Sequence, residues 1–300
     1  MSNNNQNSKI KAWIQASRPP FYIATIIPLS IGLVLSPQLN SESFSMFAWI
    51  NLAAFMVHLA TNLANDLFDH YQGADADKSI GGSRVIQDGT IELKSLWFAV
   101  VLLYFVAGLV AIYITWRQDI WFLWGFIIFA FLSSVFYVAP PIKYGYRGLG
   151  ELFVGINMGP IMVVGSFWAI NLYPTWLSFW ASVPIGIMVA SILYFQNLPD
   201  IESDKKVSKL TLAVRLGNPG AYWGMVVIGA SIYLSIITLI ILNLYPIYCL
   251  AALLTLPLLF KLLQKIHNEK DWILLDQHGH LIRKIYFFNG IILIIGLILR

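Results

Sequence analysis

The chain has 300 residues, 58% of them hydrophobic and only 11% charged, with a mean hydropathy of +0.70. A soluble domain averages about 45–50% apolar and about 25% charged residues, so this composition excludes one and makes the lipid bilayer the first partner. The net charge of +4 is no sign of nucleic acid, and the single Cys249 excludes an internal disulfide and fits no metal-ligand spacing.

The polar start, Met1 to Asn7, reads as disordered, and residues 1–20 as a cytoplasmic N-terminal tail ahead of a single transmembrane domain over 21–300. Nine apolar runs follow, near 21–37, 45–66, 95–114, 119–138, 149–171, 174–197, 219–243, 246–264 and 279–299. Each approaches the ~20 residues that cross a bilayer, where only helices and closed barrels satisfy their own backbone groups. The expected fold is all-α and polytopic, with two four-helix halves plus one helix around a central cavity. The run after Phe21 lacks a small-residue cleavage site and reads as a retained span. The 11 Trp, 14 Tyr and 19 Phe suit interfacial anchoring and a π-rich pocket.

Basic residues set the orientation. Lys9, Lys11 and Arg18 precede the first run; Lys78, Arg84 and Lys94 follow the second; Lys143 and Arg147 follow the fourth. Lys205, Lys206, Lys209 and Arg215 follow the sixth, and Lys261, Lys265, Lys270, Arg283 and Lys284 lie at or between the last two. The opposite side keeps only Arg117 and Arg300. The positive-inside rule then predicts a cytoplasmic N-terminus in the inner (cytoplasmic) membrane and an external C-terminus.

Two even-numbered runs end in carboxylates. The second closes on Asn62, Asn65, Asp66 and Asp69, where spacings of four and three put Asn62, Asp66 and Asp69 on one helix face. The sixth closes on Asn197, Asp200 and Asp204 with the same spacings. Like charges one turn apart repel, and a divalent cation relieves that repulsion; magnesium favours a few carboxylates plus phosphate oxygens. Two such sites face to face would clamp a diphosphate as a leaving group. Helix capping by Asn and Asp is the plainer reading of either cluster alone. Arg84 in a glycine-bearing loop, with Lys143, Arg147, Lys205 and Lys209, would add cations for phosphate oxygens, as forks or point charges. The rival reading of the lysines is ordinary topogenic charge.

Asn62-x-x-Asn65-Asp66-x-x-Asp69, Asp200-x-x-x-Asp204 and Tyr137-x-x-Pro140-Pro141 resemble the UbiA superfamily of intramembrane aromatic prenyltransferases. Arg18-Pro19, Ser83-Arg84-Val-Ile-Gln-Asp-Gly89 and Lys209-Leu-Thr211-Leu-Ala-Val-Arg215-Leu-Gly217 look most like its 1,4-dihydroxy-2-naphthoate branch in menaquinone synthesis. The resemblance runs from about residue 11 to residue 218. Where hydroxybenzoate members place a third Asp, this chain has Gly73, with Asp75 and Asp77 slightly later.

The resemblance implies that Asp66, Asp69, Asp200 and Asp204 hold Mg²⁺ against a polyprenyl diphosphate, helped by Asn62, Asn65 and Asn197. Arg84, Lys143, Arg147, Lys205 and Lys209 would then neutralise the leaving group, and Tyr137 and Tyr144 would shield an allylic cation that an aromatic acceptor attacks. Tyr146 reads as an interfacial tyrosine, His58 as an interhelical hydrogen-bonding residue and Glu151 as a helix-end carboxylate. The alternatives are another acceptor (4-hydroxybenzoate or homogentisate), a CDP-alcohol phosphotransferase, whose single compact Asp cluster is missing here, and an ion-coupled transporter, whose acids would lie nearer the midplane.

Overall fold

The computed structural model describes residues 2–73 and 82–300. The stretch 74–81, with Asp75, Asp77, Lys78 and Gly81, lies outside the described residues. Among the described residues twelve α-helices follow in chain order: α1 Ser2–Ser17, α2 Ile23–Val34, α3 Ser41–Tyr71, α4 Leu93–Gln118, α5 Trp124–Phe136 and α6 Gly150–Ile156. Then come α7 Met162–Asn171, α8 Trp176–Asn197, α9 Ile201–Lys206, α10 Leu212–Ile241, α11 Leu256–Asn268 and α12 Gly279–Ile298. There is no strand among the described residues.

A π turn, Asn157–Ile161, welds α6 to α7, and 3-10 stretches at Ile247–Thr255 and Trp272–His278 extend α11 and α12 at their starts. Among the described residues seven rods are then long and apolar enough to cross a membrane, and Ile23–Val34 and Trp121–Phe136 are shorter apolar helices. Rods and short helices fall in the order of the nine apolar runs.

The stripe pattern of α4 shows why lipid is the solvent. Phe98, Val101, Phe105, Leu109, Ile112 and Trp116 recur at three and four and are all exposed. Leu96, Val100, Ala107, Ala111 and Ile114, on the other side, are buried. A soluble monomer does not present so large a continuous apolar face to water.

Small residues let helices meet closely. A Cβ on Gly186 of α8 would lie 2.6 Å from the Gly155 carbonyl oxygen, and one on Gly159 would lie 2.8 Å from the Gly186 Cα. Gly155 and Gly159 are spaced four apart, the small-xxx-small contact that draws membrane helices together when lipid offers no hydrophobic drive. The largest buried cluster joins α2, α7, α8, α10, α11 and α12, with Ile31, Ile185, Met188, Met225, Ile232 and Leu293 at its centre.

One expectation changes. The polar start reads as disordered but is helical over Ser2–Ser17: Ala12 and Ala16 of α1 are buried with Leu63, Leu67, Val85 and Leu96, and the Gln15 Nε2 donates to the Ser83 carbonyl at 2.8 Å. The seventh span starts close to residue 219, as its hydropathy suggests; ahead of it lies a short helical segment capped by Thr211, whose side chain accepts from the Val214 N–H. Gly217 (φ 65, ψ 167) then breaks the helix before Pro219, a left-handed backbone angle that glycine adopts freely.

Candidate active site

A cavity of about 600 Å³ runs inside the helices. Along α3 its wall follows Asp69, Asn65, Asn62, Thr61, His58, Val57, Ala54, Ala53 and Ile50. At a rise of 1.5 Å per residue this covers about 28 Å, close to the ~30 Å hydrocarbon thickness. One end is polar, with Asp69, Asp200, Lys209, Asn197 and Gln196; the other is apolar, with Leu29, Ile50, Ile114 and Leu123.

At the polar end α3 and α8–α9 bring the two carboxylate clusters together. Asp69 Oδ1 accepts from the Tyr146 hydroxyl at 2.6 Å. The Tyr146 ring has Lys209 Nζ 5.5 Å and Lys143 Nζ 5.8 Å from its centroid, so two cations flank the phenol that holds Asp69. Asp204 is buried; its Oδ1 pairs with Lys209 Nζ at 3.2 Å, and its Oδ2 is buried without a hydrogen-bond partner.

Burial pushes the Asp204 carboxyl up to about 6, reinforced by Asp200 and Asp69 and opposed by Lys209. Burial works against the Lys209 ammonium, but Asp204, Asp69 and Asp200 outweigh it and its pKa rises. A concentration of negative charge thus meets a cavity wall.

Asp66 has a different setting. Arg18 Nη2 reaches its Oδ1 at 2.5 Å, the Ser83 N–H donates to the same oxygen at 3.2 Å, and the Ser83 hydroxyl donates to Oδ2 at 2.5 Å. Asp66 lies buried behind the wall and anchors the Arg18 turn and the Ser83–Arg84 turn to α3. The sequence suggests Asp66 as a metal ligand, and both its oxygens also accept from protein donors. Arg18, Arg84 and Lys143 all have left-handed backbones (φ 54, 60 and 45), which are uncommon outside glycine and gather at functional sites.

Of the other residues singled out in the sequence, Asn62, Asn65, Asn197, Tyr137 and Tyr144 line the cavity. The Asn197 Nδ2 donates to the Glu151 carboxylate at 2.9 Å. Asn62 Nδ2 donates to the Ser17 carbonyl at 3.2 Å. Tyr144 donates its hydroxyl to the Ser133 carbonyl at 2.6 Å, and its ring meets Tyr137 at 5.4 Å. Arg84 and Lys205 are not on the wall, and Arg147 is exposed with Nη2 on the Pro141 carbonyl at 3.1 Å.

Tyr146, which reads from the sequence as an interfacial tyrosine, is buried on Asp69, and Arg18 forms an ion pair that the sequence does not announce. No spacing signal marks contacts across 77 and 48 residues. His58 is hydrogen-bonded between helices as expected, at 2.6 Å from the Thr25 hydroxyl, and it also lines the cavity.

The donor set suits magnesium. Among the described residues no three His, Cys, Asp or Glu side chains converge as a ready-made cage. Magnesium asks for one or two carboxylates, with water and phosphate oxygens completing its shell. Asp69 and Asp200 on the wall, and the unpartnered Oδ2 of Asp204 behind them, supply that share.

Carboxylates and a lysine at the head of a membrane-length apolar cavity, in an all-helical multi-pass protein, define a class: an intramembrane enzyme for an amphiphile with an anionic head. The model of the UbiA prenyltransferase family matches residues 25–287, and the chain belongs to that family. It is 27% identical to the 2-carboxy-1,4-naphthoquinone phytyltransferase of Synechocystis, over 95% of this chain and 92% of that protein. It is 30% identical to the 1,4-dihydroxy-2-naphthoate octaprenyltransferase of Haemophilus influenzae, over 73% of each. A UbiA homologue from Aeropyrum pernix has the same fold, with a TM-score of 0.68 at 15% identity, covering 91% of this chain and 97% of that one. One from Archaeoglobus fulgidus bound to DMAPP and Mg²⁺ has a TM-score of 0.58 at 13% identity, covering 94% and 98%. The protein is a prenyltransferase, and the transporter and phosphotransferase readings fall away.

Proposed function

We propose that the protein transfers a polyprenyl group from polyprenyl diphosphate to 1,4-dihydroxy-2-naphthoate, with Mg²⁺, giving demethylmenaquinol, CO₂ and diphosphate. The observation that carries this reading is the cavity itself, polar at one end and apolar over a lipid-spanning length. A polyprenyl diphosphate has the same division between head and tail. The naphthoate acceptor is supported by the names of relatives that align with most of this chain.

Asp69, Asp200 and Asp204 would hold the metal, which when bound neutralises the diphosphate and eases its departure. Lys209, fixed by Asp204, gives a point charge at the same end, and Lys143 a second beside the Tyr146 ring. Asp66 takes the part of a brace, keeping Arg18 and Ser83 in place. Arg84, Arg147 and Lys205 remain candidates for the substrate's phosphates from the loops.

The allylic C1–O bond breaks and its electron pair leaves with diphosphate. The cation then faces the rings of Tyr137, Tyr144 and Tyr104 and an apolar wall that excludes water. The acceptor carbon bearing the carboxylate attacks C1. The electrons of its bond to that carboxylate restore the ring as CO₂ departs.

The excess of basic residues in the loops supports a reading in which this chemistry lies on the cytoplasmic side of the inner membrane, with residues 21–300 as one catalytic domain. Membranes carrying the protein should convert polyprenyl diphosphate and 1,4-dihydroxy-2-naphthoate to prenylated quinol with Mg²⁺ and lose the activity in EDTA. Product from hydroxybenzoate or homogentisate alone would overturn the acceptor assignment. Asp200→Asn should cut turnover at least about 100-fold with normal membrane insertion.

A further inference from the structure

A second cavity, of about 440 Å³, lies beside the polar end of the first. Its walls come from the Arg18–Phe21 stretch, Gly82 and Ser83, the end of α8 and the start of α12. Arg18, Phe21, Gly82 and Gln196 line both cavities, so one layer of side chains separates this antechamber from the reaction site.

Its chemistry differs from that of the clamp. Arg18 is engaged by Asp66 and Lys209 by Asp204. Arg283, in the first turn and a half of α12, lines the antechamber and has no ion pair with a carboxylate among the described residues. Its guanidinium stands 5.8 Å from the Phe21 ring centroid. The same cavity is lined by Phe21, Phe195, Pro19, Pro20 and Ile282 and by the polar Gln15, Ser83, Gln196 and Asp276.

A planar cation fork in a cavity lined by two phenylalanines and by several polar side chains suits a hydroxylated arene carboxylate, whose two oxygens match guanidinium geometry while its ring meets Phe21 and Phe195 and its hydroxyls the polar groups. Asp276 can accept from a ring hydroxyl and disfavours a polyanion such as diphosphate. A prenyl chain offers nothing to Arg283. We propose that the antechamber is a docking site for the hydroxylated aromatic acid that accepts the prenyl group, with Arg283 anchoring its carboxylate one side-chain layer from the clamp. The assignment rests on the acceptor class proposed above.

Two measurements test it. The first is equilibrium dialysis of 1,4-dihydroxy-2-naphthoate, kept reduced, against the purified full chain without Mg²⁺ or prenyl diphosphate. Arg283→Met, which keeps the packing on Phe21, should weaken binding at least about tenfold; 1,4-naphthalenediol, which lacks the carboxylate, should bind both proteins alike. Equal affinity of wild type and variant for the acid overturns the proposal, as does displacement of the acid by inorganic diphosphate at equal concentration.

The second is steady-state kinetics. The acceptor KM should rise about tenfold in Arg283→Met, with the prenyl diphosphate KM unmoved, and Arg283→Lys should recover part of the loss. A rise confined to the prenyl diphosphate KM overturns the proposal. If wild type prenylates hydroxybenzoate and not the naphthoate, the acceptor assignment fails, and the same comparison with hydroxybenzoate decides on Arg283. Should the methionine variant fail to fold, wild type alone decides, since equal binding of acid and diol overturns the site.

Discussion

Tyr146 and Asp204 carry the sharpest consequences at the scale of single residues. Removing the phenol in Tyr146→Phe takes away the donor to Asp69 while leaving the ring between Lys143 and Lys209. A hydrogen bond to a charged group contributes about 1.5–3 kcal/mol, so the Mg²⁺ concentration for half-maximal turnover should rise about tenfold or more. An unchanged Mg²⁺ dependence would mean that Asp69 acts without its phenol.

Asp204 makes the site sensitive to acid. Its pKa stands near 6 in the fold against an ordinary 3.8, so the folded chain binds that proton more tightly than the unfolded chain. Without metal this group stabilises the fold at low pH, and the contribution is lost as pH rises through about 6. Metal binding reverses the preference, because only the carboxylate is a ligand. Apparent Mg²⁺ affinity should therefore fall as pH drops below about 6, by up to about tenfold per unit. Titrations of turnover against Mg²⁺ at several pH values check this, and a flat profile would remove Asp204 from the metal site.

The legibility of the site follows the same scale. Asn62, Asp66 and Asp69 share a helix face by spacing alone, and Asp200 and Asp204 likewise, so both clusters could be read from the chain. Spacing could not say that Asp66 turns to Arg18 and Ser83 while Asp69 faces the cavity, since that division comes from distant partners.

Among the elements, the helices were legible wherever apolar runs reach a membrane's thickness, and less so at their ends. α1 begins in Ser, Asn and Gln, and its helical form owes more to docking of Ala12 and Ala16 than to hydropathy. The turn of α10 before Gly217 follows from the Thr211 cap, which an apolar count does not register. The glycine contact between α6 and α8 is a tight backbone constraint at this scale. Gly186→Leu would press side-chain atoms into the Gly155 carbonyl and the Gly159 backbone. Neither backbone can move aside without separating α6 from α8, so the cost exceeds the ~1–3 kcal/mol of ordinary overpacking. The variant should be largely lost from the folded, detergent-extracted fraction, whereas Gly108→Leu, with open space around its Cβ position, should be recovered normally.

For the whole molecule, the cavity joins two chemistries that the chain keeps far apart in sequence. Its apolar end is built from small residues on α3, Ala53 and Ala54, facing Leu123, Trp124 and Ala169. Filling that end with Ala54→Phe should shorten the longest prenyl donor used, as read by mass spectrometry of products from donors of graded length. Turnover of a short donor should fall much less. Equal losses for all donors would show that the tail does not extend into this end.

One wall of that cavity has a consequence for the surrounding lipid. α5 lines the cavity through Phe126, Ile127, Ile128, Ala130, Phe131 and Ser134, while Leu132, off the cavity wall, is exposed. Its 13 residues rise about 20 Å, and the 3-10 turn at Trp121–Leu123 adds about 6 Å, leaving this side of the protein shorter than a ~30 Å hydrocarbon core. A dimple in the bilayer is one way to meet so short a wall, at a fraction of a kcal/mol per ångström of mismatch. Acyl chain length thus becomes a thermodynamic variable of the enzyme: shorter lipids relieve the dimple and thicker ones deepen it, so the membrane's own thickness bears on how stably this wall stands.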